Sequence, residues 1–253
     1  MVGAGASRGA ATIYLEVLKS IDKWRDNPLD RDSYFGKGRL TIMLRVRTWM
    51  TRNLVTLSPE ASVAEALTLC RERRIRHIPI VEEGRLVGIV SDRDLRDASP
   101  ALGDADRAST LQEKRLGDVM TREVSTAVPQ DPIENAAQEM YELKIGSLPV
   151  IAEEDQEKLL GIVTSSDVMR ALVMLVGLPE PGCRIEVRAP NRAGILAEVA
   201  GKIEDLGVDI FSVLSDPDRR SGNRAMVFQL VTTDPSSVME GLKMAGYEIS
   251  WVS

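Results

Sequence analysis

Hydrophobic and polar positions follow the same pattern twice between residues 46 and 175. In each copy a short β-branched run precedes a helix with an apolar stripe, and two further apolar runs separated by a tight turn come after it. In the first copy Ser62 is placed to cap the helix, and a second helix begins near Asp94. The strands of that copy are predicted at positions 55–57, 78–81 and 86–90. The pattern predicts a β-α-β-β-α unit.

The second copy returns the residues of the first in the same order. Met120-Thr121-Arg122 repeats Met50-Thr51-Arg52, and after a short insertion Gly161-Ile162-Val163 repeats Gly88-Ile89-Val90. Repetition over this length indicates a duplicated fold. Because each unit is too small for a large core, we expect the two to pack against each other, sheet to sheet, about a pseudo-twofold axis.

Each copy ends its last strand in a hydroxyl residue, and an aspartate follows three positions later. The pairs are Ser91 with Asp94 and Thr164 with Asp167. A strand-to-helix corner offers hydroxyl and backbone N–H groups to a phosphate, and its aspartate can accept from the two hydroxyls of a ribose. Helix capping explains either pair taken alone. The duplication favours a nucleotide site.

Composition and charge exclude several classes of protein. The 253 residues carry a formal net charge of -6, with 43% hydrophobic and 28% charged residues, which is typical of a folded chain of two or three domains. An acidic chain is a poor partner for nucleic acid. No apolar run approaches the roughly 18 residues of a membrane span, and the N-terminus lacks a secretory pattern. We therefore expect a cytoplasmic protein with neither nucleic acid nor membrane as its partner.

The residues that carry most catalytic chemistry are scarce. His77 is the only histidine, and Cys70 and Cys183 stand in no metal-ligand spacing, so both are expected to be reduced thiols. An enzyme with His77 or Asp94 as its base would need a nucleophile and an orienting group beside it, and the sequence shows neither. We expect a non-enzymatic protein without metal or catalytic cofactor.

Taken together, the Met-Thr start, the helix, the hydrophobic-Pro-hydrophobic-Val strand and the Gly-hydrophobic-hydrophobic-[Ser/Thr]-x-x-Asp motif resemble the tandem CBS module, or Bateman domain, over about residues 46–175. The resemblance implies a regulatory module that binds AMP, ADP or ATP in clefts between the two units. On the family's pattern, each cleft joins the hydroxyl and aspartate of one unit to early strand residues of the other. The nucleotide-binding residues implied in this way are Thr164, Asp167, Ile75, Arg76 and His77 in one cleft, and Ser91, Asp94, Ile145, Gly146 and Ser147 in the other.

Arginines distinguish the two copies. Arg93 and Arg96 are additional phosphate candidates in the first copy, where Ser166 and Met169 stand in the second. The cleft that contains Asp94 is therefore expected to be the more cationic. The arginines between positions 71 and 76 have two interpretations, a solvated helix end or ligand contacts.

The C-terminal part follows a β-α-β-β-α-β order, which predicts a ferredoxin-like fold. Its strands are predicted at 184–187, 210–214, 225–232 and 247–252, and its helices at 195–206 and 235–245. This part resembles the ACT domain, which implies amino-acid binding at the turn before the first helix. The residues implied are Asn191, Ala193, Gly194, Ile195 and Leu196. A helix cap with a glycine for close packing, or a dimer contact without ligand, explains the same turn.

The fold class predicted is α+β: two CBS units in pseudo-twofold packing, followed by a ferredoxin-like ACT domain. The predicted segments are an N-terminal extension at 1–42, CBS unit 1 at 43–105, CBS unit 2 at 106–176, a linker at 177–182 and the ACT-like domain at 183–253. The order CBS, CBS, ACT resembles regulators of the acetoin-utilisation protein B type. We expect a homodimeric, allosteric sensor of adenine nucleotides that acts on an unidentified target protein. The alternative is an amino-acid sensor whose CBS pair is structural.

Overall fold

The computed structural model of the chain describes residues 44–100, 106–155, 157–177, 182–218 and 221–251. The described residues form two compact units, one ending at Ala171 and the other beginning at Leu172. The predicted N-terminal extension and the central residues of the predicted linker, 178–181, lie outside the described residues. Each unit is taken by itself below.

The first unit contains both predicted repeats. In the first repeat the elements are α1 Val46–Trp49, α2 Val63–Arg73, β1 His77–Glu82, β2 Arg85–Ser91 and α3 Asp92–Asp97. In the second they are α4 Arg107–Glu113, a 3-10 turn at Leu116–Asp118, α5 Ile133–Leu143, β3 Ser147–Ile151, β4 Leu159–Thr164 and α6 Ser165–Leu175, of which the residues up to Ala171 belong to the first unit. β1 pairs antiparallel with β2, and β3 with β4, as the sequence predicts.

The opening strand of each repeat is shorter than predicted. Leu57 makes one parallel bridge, to Ile80, and Ala127 makes the matching bridge to Val150. The next hydrogen bond of the first ladder would need an N–H from position 79, which is Pro79, and a proline has none. Pro149 limits the second ladder in the same way. The predicted strand at 55–57 is therefore reduced to a single bridge.

The segment that leads into each repeat packs on the other repeat, which the sequence did not predict. The N–H of Val46 donates to the carbonyl of Asp131 at 2.9 Å, and the N–H of Leu116 donates to the carbonyl of Ala61 at 2.9 Å. Leu116 and Met120 accordingly lie in the hydrophobic core of the first repeat. The second lead-in therefore completes the core of the first repeat, and the first lead-in is hydrogen-bonded to the second repeat, so the two repeats are interlocked.

The second unit holds a four-stranded antiparallel sheet and two helices. Its elements are β5 Cys183–Pro190, α7 Ile195–Asp205, β6 Ile210–Asp218, β7 Asn223–Leu230, α8 Ser236–Met244 and β8 Glu248–Trp251. The strand order is β6-β7-β5-β8, which confirms the ferredoxin-like prediction. Alternate strand residues such as Val187 and Phe228 are fully buried in one core with Val199 and Leu242 of the helices.

Candidate functional site

The first corner joins β2 to α3 through Ser91 and Asp94. The backbone N–H and the hydroxyl of Ser91 both donate to Asp94 Oδ2, at 2.8 and 2.7 Å. The N–H of Asp94 donates back to Ser91 Oγ at 3.2 Å, which completes a capping box. The capping interpretation is thus correct for this pair. It occupies only one carboxylate oxygen, since in the described part of the chain Asp94 Oδ1 accepts no hydrogen bond.

The second corner joins β4 to α6 and repeats this geometry. The N–H and hydroxyl of Thr164 donate to Asp167 Oδ2 at 2.9 and 2.8 Å. Here the second oxygen is occupied as well, because Arg170 Nη2 donates to Asp167 Oδ1 at 3.0 Å. Asp167 is only 6% exposed, whereas Asp94 is half-buried. The two corners share their cap and differ in the oxygen left for a ligand.

The early strand residues lie beside the corner of their own repeat. His77 is the cross-strand partner of Ser91, and the N–H of Asp92 donates to the carbonyl of Arg76 at 2.8 Å. In the second repeat Ser147 is likewise opposite Thr164. The predicted pairing of each corner with early strand residues of the other repeat stays a prediction.

One direct contact does cross between the repeats at these strand ends. A Cβ added to Gly146 would lie 2.9 Å from His77 Cε1, so the imidazole ring rests against the glycine backbone. The half-buried ring has a lowered pKa because burial disfavours its charge; Asp94 opposes this shift, and Arg76 adds to it. His77 is thus a wall residue between the repeats, and Asp94 is the charged group that acts most strongly on its pKa.

The predicted phosphate arginines of the first repeat differ in availability. Arg96 donates to the carboxylate of Asp92 on the same helix and forms an ion pair with it. Arg93 is exposed and makes no hydrogen bond or ion pair with other described residues. Arg71 and Arg76 are exposed as well. In the described part of the chain, Arg71, Arg76 and Arg93 therefore all have guanidinium groups without a hydrogen-bond or ion-pair partner, and Arg93 is the one next to Asp94 in the sequence.

Ile75 contributes to a recess that does not include the corner. This cavity measures about 410 Å³ and is lined by Leu67, Cys70, Arg71, Ile75, Asp92 and Arg96. Neither Ser91 nor Asp94 lines it. Ile145, the matching residue of the second repeat, is 36% exposed, so its side chain is accessible. Ile75 and Ile145, which the resemblance places at matching positions of the two clefts, thus have different surroundings.

Both cysteines are free, as predicted. Cys70 lies on α2, where burial raises the pKa of its thiol to about 11, and Cys183 begins β5. A thiol with so high a pKa is a poor nucleophile.

The predicted amino-acid turn is organised by glycine and by an arginine. Gly194 is the N-cap of α7 and has a φ of 82°, while no side chain caps the helix. Asn191 Oδ1 accepts from Arg224 Nε at 3.0 Å, and the alternative of a side-chain helix cap at this turn finds no support among the described residues. A Cβ on Gly194 would meet no atom of the described residues within 4 Å. Its dihedral, and not close packing, therefore explains the glycine.

The remaining residues of that turn divide between core and surface. Ile195 is 2% exposed and belongs to the core, while Leu196 is 38% exposed and Ala193 is exposed. The first helical hydrogen bond runs from the N–H of Glu198 to the carbonyl of Gly194, so the preceding amides of the helix keep no helical acceptor. Amino-acid binding at this turn stays a prediction.

A cluster near this helix start was missed from the sequence. Glu198 accepts from both Tyr247 and Arg192. These hydrogen bonds, that of Tyr247 first, lower the pKa of the Glu198 carboxyl. Glu198 and Tyr247 are far apart in the sequence, and only the spacing of Arg192 and Glu198 along the chain hinted at a pair.

Comparison with known families agrees with this architecture. Residues 46–101 and 116–174 match the CBS domain, and residues 184–238 match the ACT domain. The CBS domain-containing protein YhcV of Bacillus subtilis is 33% identical over 126 residues, which make up 50% of this chain and 84% of that protein. The chain belongs to the CBS domain-containing proteins. It combines a CBS pair with a C-terminal ACT domain, two modules of regulatory type.

Other relatives match the CBS pair. Homoserine O-acetyltransferase of Methanococcoides burtonii is 36% identical over 124 residues, 49% of this chain and 23% of that protein, so the chain spans about a quarter of that relative's length. A solved structure, the crystal structure of a putative acetoin utilization protein (AcuB) from Vibrio cholerae, matches with 36% sequence identity and a TM-score of 0.45. The match covers 54% of this chain and 96% of that chain.

The described helices include none with the length and hydropathy needed to cross a membrane.

Proposed function

We propose that the protein is a non-enzymatic, cytoplasmic regulator whose CBS pair binds an adenine nucleotide at its strand-to-helix corners. The observation that carries the proposal is the hydrogen bonding of the Asp94 carboxylate. Its Oδ2 is fixed by two donors from Ser91, so the carboxylate is oriented before any ligand arrives. Its Oδ1 accepts no hydrogen bond from the described residues, and the side chain is only half-buried.

A ribose is the ligand that such a carboxylate suits. The 2′ and 3′ hydroxyls of a ribose are adjacent donors, and a charged acceptor makes stronger hydrogen bonds with them than a neutral one. Because Asp94 is already held in one orientation, little further side-chain entropy is lost on binding. Sugar recognition by Asp94 is therefore favoured over a purely structural role.

The phosphate and the base of such a nucleotide have candidate partners as well. Arg93, one residue before Asp94, is exposed and uncommitted, so its guanidinium is available to a phosphate. Ile145 supplies an accessible apolar side chain for the adenine ring. The family resemblance supports the same assignment for Ile145.

Regulation would act through the packing of the two repeats. A nucleotide changes the population of two arrangements only if it binds one of them more tightly. The interlocked lead-ins and the contact of His77 with Gly146 are the places where two such arrangements would differ. We propose that a homodimer passes this change to its ACT domain or to a separate target protein.

Thermal unfolding in the presence of AMP, ADP and ATP tests the proposal. A nucleotide at a hundred times its dissociation constant adds about 2.7 kcal/mol of stability, a rise in melting temperature on the order of 5 °C. Asp94→Asn is expected to weaken binding about ten- to a hundredfold, since a charge-assisted hydrogen bond is lost. Asp97→Asn, which removes the same charge from an exposed position of α3, is the matched control and should bind like the parent.

An amino-acid panel in the same assay addresses the alternative function. A shift with an amino acid and none with any adenylate would replace the nucleotide proposal by an ACT-based sensor. Equal affinity of the Asp94→Asn and parent proteins for AMP would remove the ribose assignment.

A further inference from the structure

The duplicated corners provide an internal comparison that separates capping from ligand binding. Both hydroxyl residues hold Oδ2 of their aspartate in the same way, at 2.7 to 2.9 Å. Among the described residues, Oδ1 has a further donor at Asp167 alone, where Arg170 Nη2 lies at 3.0 Å. The hydrogen-bonding place that a ribose hydroxyl would take at Asp94 is therefore taken at Asp167 by a side chain of the protein.

Arg170 is fixed in that place by a second group. The same Nη2 atom donates to the carbonyl of Trp49 at 3.0 Å, and the guanidinium carbon lies 5.4 Å from the centre of the Trp49 ring. Trp49 is 2% exposed, and its helix α1 is part of the lead-in that packs on the second repeat. If the Arg170 side chain moved away from the corner, it would lose its ion pair with Asp167 together with its hydrogen bond and cation–π contact with Trp49.

The first corner lacks both parts of this arrangement. When Ser91 is aligned with Thr164, the position of Arg170 is occupied by Asp97, whose side chain carries none of the N–H donors of a guanidinium. Val119 stands at the position of Trp49, counted from the repeated Met-Thr pairs. Both copies thus contain the cap, and the second copy adds the contacts of Arg170 with Asp167 and Trp49.

We propose that Arg170 acts as a built-in occupant of the second corner, so that the CBS pair takes one nucleotide per chain, with its ribose on Asp94. This inference rests on the proposed nucleotide function and specifies where that function is located. Asp167 keeps its carboxylate neutralised by Arg170 in a buried setting, where an unpaired charge would be unfavourable. Asp94 keeps a free acceptor at the surface. Arg170 is thereby a specificity-determining residue that acts by exclusion.

Isothermal titration of the full-length protein with AMP tests this assignment through stoichiometry. The parent protein is expected to bind one AMP per chain, and Asp94→Asn to weaken that event at least tenfold. Arg170→Met, which keeps the length and apolar stem of the side chain, is expected to add a second event and bring the stoichiometry toward two. The double variant Asp94→Asn, Arg170→Met should retain one event, now at the second corner.

Each contrary result identifies what has failed. Two AMP molecules per parent chain, or one event that Asp94→Asn leaves unchanged, would overturn the assignment of the open corner. An Arg170→Met protein that melts like the parent and still binds a single AMP would show that Arg170 does not close the second corner. If neither the parent nor any variant binds an adenylate, the proposed function itself is wrong, and this outcome differs from the other two.

Discussion

Thr51 and Ile162 exchange both of their backbone hydrogen bonds, at 2.8 and 3.0 Å, although they belong to different repeats. Ile89 and Thr121 form the same reciprocal pair at 3.0 and 2.9 Å. Each bridge joins the lead-in of one repeat to the last strand of the other. The pseudo-twofold relationship is therefore built in part from backbone contacts, and a glycine precedes the strand residue of each bridge, Gly88 before Ile89 and Gly161 before Ile162.

Glycines stand where these bridges bring two backbones together, and this gives a first prediction. A Cβ at position 161 would lie 2.9 Å from the backbone oxygen of Thr51 and 3.0 Å from Met50 Sδ, and one at position 88 would lie 3.0 Å from the backbone oxygen of Thr121 and 2.5 Å from Met120 Sδ. A methionine side chain can move aside, but a hydrogen-bonded backbone oxygen cannot, so Gly161→Ala and Gly88→Ala are both expected to destabilise the protein by about 1–3 kcal/mol. Urea unfolding measures both losses. A variant that unfolds like the parent would contradict the explanation.

Replacing either of two glycines at α7 by alanine is predicted to change stability, in opposite directions. Gly194 is the N-cap and has a φ of 82°, whereas Gly201 lies within the helix. A Cβ on either glycine would meet no atom of the described residues within 4 Å. Gly194→Ala is expected to cost about 1 kcal/mol from backbone strain alone. Gly201→Ala is expected to stabilise the domain by about 0.5–1 kcal/mol. Thermal unfolding of the two variants decides the matter, and a stabilising Gly194→Ala would show that the turn relaxes.

His77 predicts how stability depends on pH. Burial lowers its pKa in the folded protein below the ordinary value of 6.5, so the unfolded chain binds more protons near and just below that pH. The contribution of His77 to stability is therefore complete above pH 6.5 and is lost as the pH falls through the folded pKa. Between pH 7.5 and 5.5 the parent should lose more stability than His77→Gln in urea unfolding. Parallel curves for the two proteins would show that this ring does not titrate as described.

The Cys70 thiol predicts slow chemical labelling. Burial raises its pKa from 9.0 to about 11, so the folded protein holds about a hundredfold less thiolate at pH 8 than an unperturbed cysteine would. In a Cys183→Ser background, reaction with a disulfide reagent should be at least that much slower in buffer than in denaturant. Rapid labelling of the native protein would place the thiol at an accessible surface.

Local patterns were sufficient for much of the architecture. The alternation of strands and helices, the duplication and the ferredoxin-like order were all predicted, because each depends on residues close together in the chain. The capping geometry of Ser91 with Asp94 was available for the same reason, since three residues separate the partners. The opening strand was predicted to be longer than it is. The missing N–H of Pro79 limits its pairing, and this follows only once β1, which contains Pro79, is known to lie beside the opening strand.

The amino-acid sequence by itself determined the repeat, the helix caps, the pair of corners and the positions of the glycines, all of which arise from short-range spacing and backbone preference. Only the tertiary structure decided that the lead-ins cross to the opposite repeat, that His77 rests on Gly146, and that Arg170 closes the Asp167 corner against Trp49. These relationships join groups far apart in the chain. Their energy comes from burial and from hydrogen bonds that exist only after the two repeats interlock, and a local pattern carries no record of them.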